Sequence, residues 1–147
     1  MRKIILSFAS VMACTLLTMS CQTKSIVCGQ NIPYIVADGY FVKNDAPSVP
    51  MGKITSQEEF FRFFGEAATM SSRPTPVDFK RQFVIAVSQN ETDTATTLTP
   101  MSLVRNNSSI AFTYNVQKGQ KQSYSIQPLL LIVVNKKYEA DVNCLKQ

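Results

Sequence analysis

Apolar and polar positions follow several different patterns along this chain, and each marks a different kind of element. Phe83 to Ser88 is a short, nearly continuous apolar run, which predicts a central strand buried on both faces. Ile110, Phe112, Tyr114 and Val116 alternate with Ala111, Thr113, Asn115 and Gln117, which is the period of a strand with one wet face. Met101, Leu103 and Arg105 alternate with Ser102 and Val104 in the same way, and Asn106, Asn107, Ser108 and Ser109 between the two strands read as a hairpin loop. Tyr124 to Val134 predicts the longest strand, and Pro128 inside it, lacking a ladder donor, requires a bulge or an edge position. Residues 89–97 are polar, and Gly119 is expected to turn the chain.

A helical period occurs once in this part of the chain. Phe60, Phe61, Phe63, Phe64, Ala67 and Ala68 recur at spacings of three, four, seven and eight and form a broad apolar face. Ser56 with Glu59 three residues on is a capping box, so the helix should start at Ser56. Upstream, residues 33–43 predict a strand pair, or one strand bent at Asp38–Gly39, and Pro47 and Pro50 mark a loop. A second loop covers residues 71–76, after which Asp78–Phe79 leads into the central strand. The resulting fold class is α+β, mostly antiparallel β (a small sandwich or open barrel), with one amphipathic helix covering one face or plugging one end. The phenylalanines of that helix pack its core side, and Phe61 with Phe64, one turn apart, is the candidate binding face if the stripe is wider than the sheet can cover.

The apolar run from Ile4 to Leu17 has a different meaning. It spans about 14 residues against the roughly 20 that cross a bilayer, with Ser7, Ser10 and Thr15 inside it. Arg2 and Lys3 precede it, and Thr18, Met19 and Ser20 lead to Cys21. This arrangement resembles the export signal of bacterial lipoproteins. The resemblance implies that residues 1–20 are removed and that Cys21 is acylated, palmitate being among the usual chains. Thr18 stands where such signals usually carry Leu, with Leu17 one step earlier, and lipidation at Cys14 instead would leave Thr15 to Met19 on the tether. Gln22 rather than Asp after the lipid cysteine implies an outer-membrane anchor facing the periplasm. Two or more acyl chains hold a protein to a bilayer stably. The organisation expected is therefore a signal peptide (1–20), a lipidated Cys21 with a short tether (21–31) and one β-rich domain (32–147).

Composition agrees with a globular domain: 45% hydrophobic and 17% charged residues, with five glycines. The formal charge of +5 falls to near +3 once Arg2 and Lys3 leave, and the basic residues are scattered, as expected of a solvated surface rather than a nucleic-acid footprint. With Cys14 removed and Cys21 acylated, Cys28 and Cys144 remain, and an oxidising periplasm predicts that they pair. Such a bridge would restrict the unfolded chain by roughly 4 to 5 kcal/mol in the entropy model. It would also leave only Gln22 to Val27 between lipid and domain, about 20 Å fully stretched, so partners must come to the membrane.

The chain has no histidine, which removes Ser-His-Asp and Cys-His catalysis and histidine-ligated metals. Glu91 and Asp93 could hold a hard cation, but their stretch lacks the glycine and closing glutamate of a calcium loop. No cofactor is called for, and an enzyme is not expected.

The capped helix, the run from Asp78 through Phe83 to Val87, and the strand holding Pro128 follow an order that resembles the C-terminal domain of the protease complex subunit family PrcB, over roughly residues 54 to 135. Residues 90–97 stand where that family carries a glycine-rich turn and do not reproduce it. The resemblance implies a non-catalytic partner of a protease. The expected function is a membrane-tethered protein-binding module for an envelope protein. A small apolar-ligand carrier, with its cavity between the Phe-rich helix and the sheet, and a structural envelope lipoprotein are the alternatives.

Overall fold

The computed structural model describes residues 29–69 and 73–147. The signal segment, Cys21 and Cys28 lie outside the described residues.

The core of the fold is one long β-ribbon doubled over on itself. Strands β6 (Gln82–Ser88) and β9 (Leu129–Asn135) pair antiparallel from Gln82↔Asn135 to Ser88↔Leu129. Just beyond a short bend, β7 (Thr92–Asn106) and β8 (Ser109–Ile126) resume the same pairing at Thr92↔Ile126 and carry it to Asn106↔Ser109. A two-residue turn closes the hairpin, with Asn107 at φ 51°, a conformation asparagine tolerates better than most side chains. Folding the ribbon back lays the β7–β8 half over the β6–β9 half. Ile110, Phe112, Tyr114 and Leu103 meet Phe83, Ile85, Val87, Leu130, Ile132 and Val134 in the space between.

Short strands complete each sheet. Strand β1 (Gln30–Asn31) pairs with β7, and β10 (Asp141–Lys146) runs parallel to β8, giving a first sheet ordered β1-β7-β8-β10. The second sheet, ordered β2-β9-β6-β4, adds β2 (Tyr34–Val36) and β4 (Gly52–Ile54). Its other face is covered by helix α1 (Gln57–Phe63) and the small pair β3 (Tyr40–Val42) and β5 (Phe64–Glu66). Val84, Ala86, Leu131 and Val133 on that face pack on Ile54, Phe60, Phe63 and Phe64. Both central strands are thus buried on two sides, as the unbroken apolar run of β6 predicted. The architecture is α+β, two mostly antiparallel sheets packed as a sandwich and not closed into a barrel, with the helix on one face.

Several local expectations are corrected. The helix begins after Ser56, whose side chain accepts the Glu59 N–H at 3.2 Å, but it ends at Phe63. Phe64, Ala67 and Ala68 are not helical, because β3 captures Phe64–Glu66 as a strand partner. Polar residues 92–97 belong to β7, and Gly119 lies within β8 rather than at a turn. The ribbon is irregular there, with register shifts between Thr92, Thr94 and Thr96, so polar residues take part in a ladder that covers no core. The segment expected as one strand from Tyr124 to Val134 is broken at Gln127–Pro128.

Candidate functional site

Phe61 lines an open cleft of about 480 Å³ between the helix and the segment following residue 73. Its floor is aromatic. Phe60 packs edge-on against both Tyr40 and Phe61, with centroids 5.0 and 5.6 Å away, and lies 5.5 Å from the Phe79 ring. Pro74, Pro76 and Val77 form a wall, while Gln57, Glu66 and Arg73 bring polar groups to the lining.

The wall is fixed by the backbone that precedes β3. The Asp38 N–H donates to Thr75 Oγ1 at 3.0 Å, and the Thr75 N–H donates back to the Asp38 carbonyl at 2.9 Å. The Tyr40 hydroxyl donates to the Thr75 carbonyl at 2.7 Å. Gly39 makes this approach possible: its φ is +81°, and a Cβ there would lie 2.8 Å from Pro74 Cα. Burial pushes the Tyr40 phenol above its usual range, and the charge of Glu66 adds to the effect. Tyr40 is therefore a neutral hydrogen-bonding group at ordinary pH.

Of the two phenylalanines expected on a binding face, only Phe61 is available. Phe64 is 0% exposed, and its ring sits against Phe60 and Phe63 rather than beside an exposed Phe61. The pair fails because the helix ends one residue before Phe64, so the two no longer share a helical face. Tyr40, Phe79, Pro74 and Pro76 were not legible as site residues, since nothing in the local pattern tells that a proline loop docks beside a helix.

A larger, more polar groove of about 890 Å³ runs between the loop after β3 and the bend of the ribbon, lined by Phe41, Val49, Asn90, Glu91, Ile126 and Pro128 among others. Lys43 Nζ, also on this groove, donates to the Phe61 carbonyl at 2.5 Å and links the two clefts. The two carboxylates considered for a cation are separately employed: Glu91 lines the groove, whereas Asp93 pairs with Lys121 at 2.9 Å. Among the described residues, no group of three or more His, Cys, Asp or Glu side chains converges as a metal site would require.

Cys144 sits half-buried on β10 opposite Phe112, and burial pushes its thiol above the usual range, the reverse of what a reactive thiolate needs. Gly29, the chain neighbour of Cys28, leads into β1 at the opposite edge of the same sheet. Strands β7 and β8 lie between them.

No family model, no curated protein and no solved structure matches this chain.

Proposed function

We propose that this protein is a membrane-tethered, non-catalytic periplasmic lipoprotein that binds another envelope protein, with the cleft at Phe61 as the contact. The observation that supports this reading is the cleft's make-up: a floor of Tyr40, Phe60, Phe61 and Phe79 bordered by Arg73, Glu66 and Gln57. An aromatic centre with a polar rim is the anatomy of a protein-binding hot spot. The space in which a carrier would hold an apolar ligand is occupied, since Phe60, Phe63 and Phe64 fill the contact between the helix and the second sheet. That favours binding at the surface over carriage inside. A protease is the partner class to which the family resemblance points.

The test uses the full acylated chain, isolated in mild detergent, alongside Phe61→Ala and Arg73→Glu. A stoichiometric companion held by the natural chain and lost from both variants, with circular dichroism unchanged, is the expected result. A natural chain that carries no companion, or variants that retain it, overturns the proposal.

A further inference from the structure

We propose that the end of the fold bearing Lys80, Arg81, Arg105, Lys136 and Lys137 docks on the anionic headgroups of the bilayer in which Cys21 is anchored. This rests on the lipoprotein reading and adds to it an orientation. Five basic residues from three separate segments meet at that end. Lys80 and Arg81 form the turn before β6, and Lys136 and Lys137 form the single 3-10 turn after β9. The Lys136 N–H donates to the Arg81 carbonyl at 2.8 Å, which sets the two pairs side by side. Arg105 lies near the hairpin tip, and the five-residue link from Asn135 to Asp141, which pairs with Ser109, brings that tip to the same end.

Charge bookkeeping sets this end apart. Of fifteen Lys and Arg, three (Arg2, Lys3, Lys24) precede Gly29, leaving twelve against ten Asp and Glu, a net +2 for residues 29–147. At the basic end, Asp78 is paired with Arg81 at 2.7 Å and Glu139 with Lys53 at 3.3 Å, Asp141 opens β10, and Glu58 and Glu59 open the helix that follows Ile54, itself paired with Val84. Lys80, Arg105, Lys136 and Lys137 make no ion pair among the described residues, so this end presents four uncompensated positive side chains close together.

The tether arrives at that same end. Gln30, one residue past Gly29, pairs with Arg105. Seven residues, Gln22 to Cys28, separate the acylated Cys21 from Gly29, so their greatest span is about 26 Å. Attraction to an anionic surface decays over about 8 Å at physiological ionic strength, and a tether this short lets the basic end enter that range. Docked so, the protein turns the bend at Gln89–Glu91 and Gln127–Pro128, with the larger groove beside it, away from the bilayer.

The experiment reconstitutes the full acylated chain into phosphatidylcholine vesicles with or without about 30% phosphatidylglycerol and follows amide hydrogen exchange by mass spectrometry. Flotation with the vesicles in about 1 M salt, where the screening length is about 3 Å, reports the anchor alone. Expected is an exchange rate about threefold or more slower over residues 79–82, 105–109 and 136–138 on anionic vesicles, lost in high salt and in the Lys136→Glu/Lys137→Glu variant. Chains that float in salt but show no such lipid-dependent protection overturn the docking and leave the anchor standing. Equal protection on neutral vesicles, or protection by a co-purified acidic protein in detergent, overturns it as well. Failure to float overturns the anchor reading itself.

Discussion

The backbone N–H of Gln89 donates to the carbonyl of Pro128 across 3.0 Å. The bond lies between Ser88↔Leu129, where one ladder ends, and Thr92↔Ile126, where the next begins, so it keeps the ribbon's two strands abreast through the bend. Pro128 can occupy the site because it is asked only for its carbonyl. Removing the donor with Gln89→Pro should cost about 2 kcal/mol or more, whereas Gln89→Ala, which keeps the backbone N–H, should cost well under about 1. Urea denaturation of the two variants measures the difference, and equal losses would deny the bond its role.

Phe61 and Phe64 should separate cleanly in the same assay. Phe64 is fully buried between the helix and the second sheet, so Phe64→Ala should destabilise by about 3 to 5 kcal/mol through the cavity it leaves. Phe61 is only partly buried at the cleft, and Phe61→Ala should cost about 1 kcal/mol. If Phe61→Ala unfolds the protein as Phe64→Ala does, Phe61 belongs to the core and not to a contact surface.

Two glycines meet opposite kinds of obstacle. A Cβ on Gly39 would meet the Pro74 backbone at 2.8 Å, and the residue sits at φ +81°, so Gly39→Ala should cost roughly 1 to 3 kcal/mol. A Cβ on Gly65 would come 2.5 Å from Phe41 Cζ, but Phe41 is 48% exposed and can swing aside, so Gly65→Ala should cost below about 1 kcal/mol. Thermal melts of the two variants rank them, and a larger loss for Gly65→Ala would mean that the Phe41 ring is held in place.

The parts of the fold legible in the sequence are those with one strong local cause. The apolar run of β6 has no wet face to offer, and Ser56 with Glu59 satisfies a helix start by itself. Phe64 was misplaced because its apolar spacing suits a helix, while its fate is decided by β3, more than twenty residues away. Thr92 to Thr97 were illegible as strand for a related reason: they pair across the bulged part of the ribbon without facing a core, so no alternation marks them. Strand β10 runs parallel to β8, a pairing set by where the chain returns rather than by its own pattern. The cleft at Phe61 joins four distant segments and has no signature in any one of them.

The register bears directly on the cysteines. Strands β1 and β10 are the outer strands of a four-stranded sheet, about 14 Å apart at three strand spacings. A disulfide seldom spans more than about 7 Å between Cα atoms, and Cys28 is one peptide link of about 3.8 Å from Gly29. A Cys28–Cys144 bridge therefore requires β1 or β10 to leave the sheet. Alkylation of the mature protein in urea without reductant should count two free thiols. A count of zero, with the mass falling by two hydrogens, would instead show the bridge and displace one edge strand.

Alkaline pH should weaken the protein in a defined order. Burial raises the Cys144 thiol, and it raises the phenols of Tyr40 and Tyr114, to which the nearby charges of Glu66 and Cys144 respectively add. In the unfolded chain these groups ionise near about 8.5 for the thiol and about 10 for the phenols. Each favours the native state fully below its unfolded value, and that contribution is lost as the pH climbs through the higher folded value. Stability should therefore begin to fall above about pH 8.5 through Cys144 and fall further above about pH 10 through the two tyrosines. Replacing the thiol by a hydroxyl in Cys144→Ser should remove the first decline and leave the second. Urea midpoints taken between neutral pH and about pH 11 follow both limbs. An unchanged first decline in Cys144→Ser would assign it to another group.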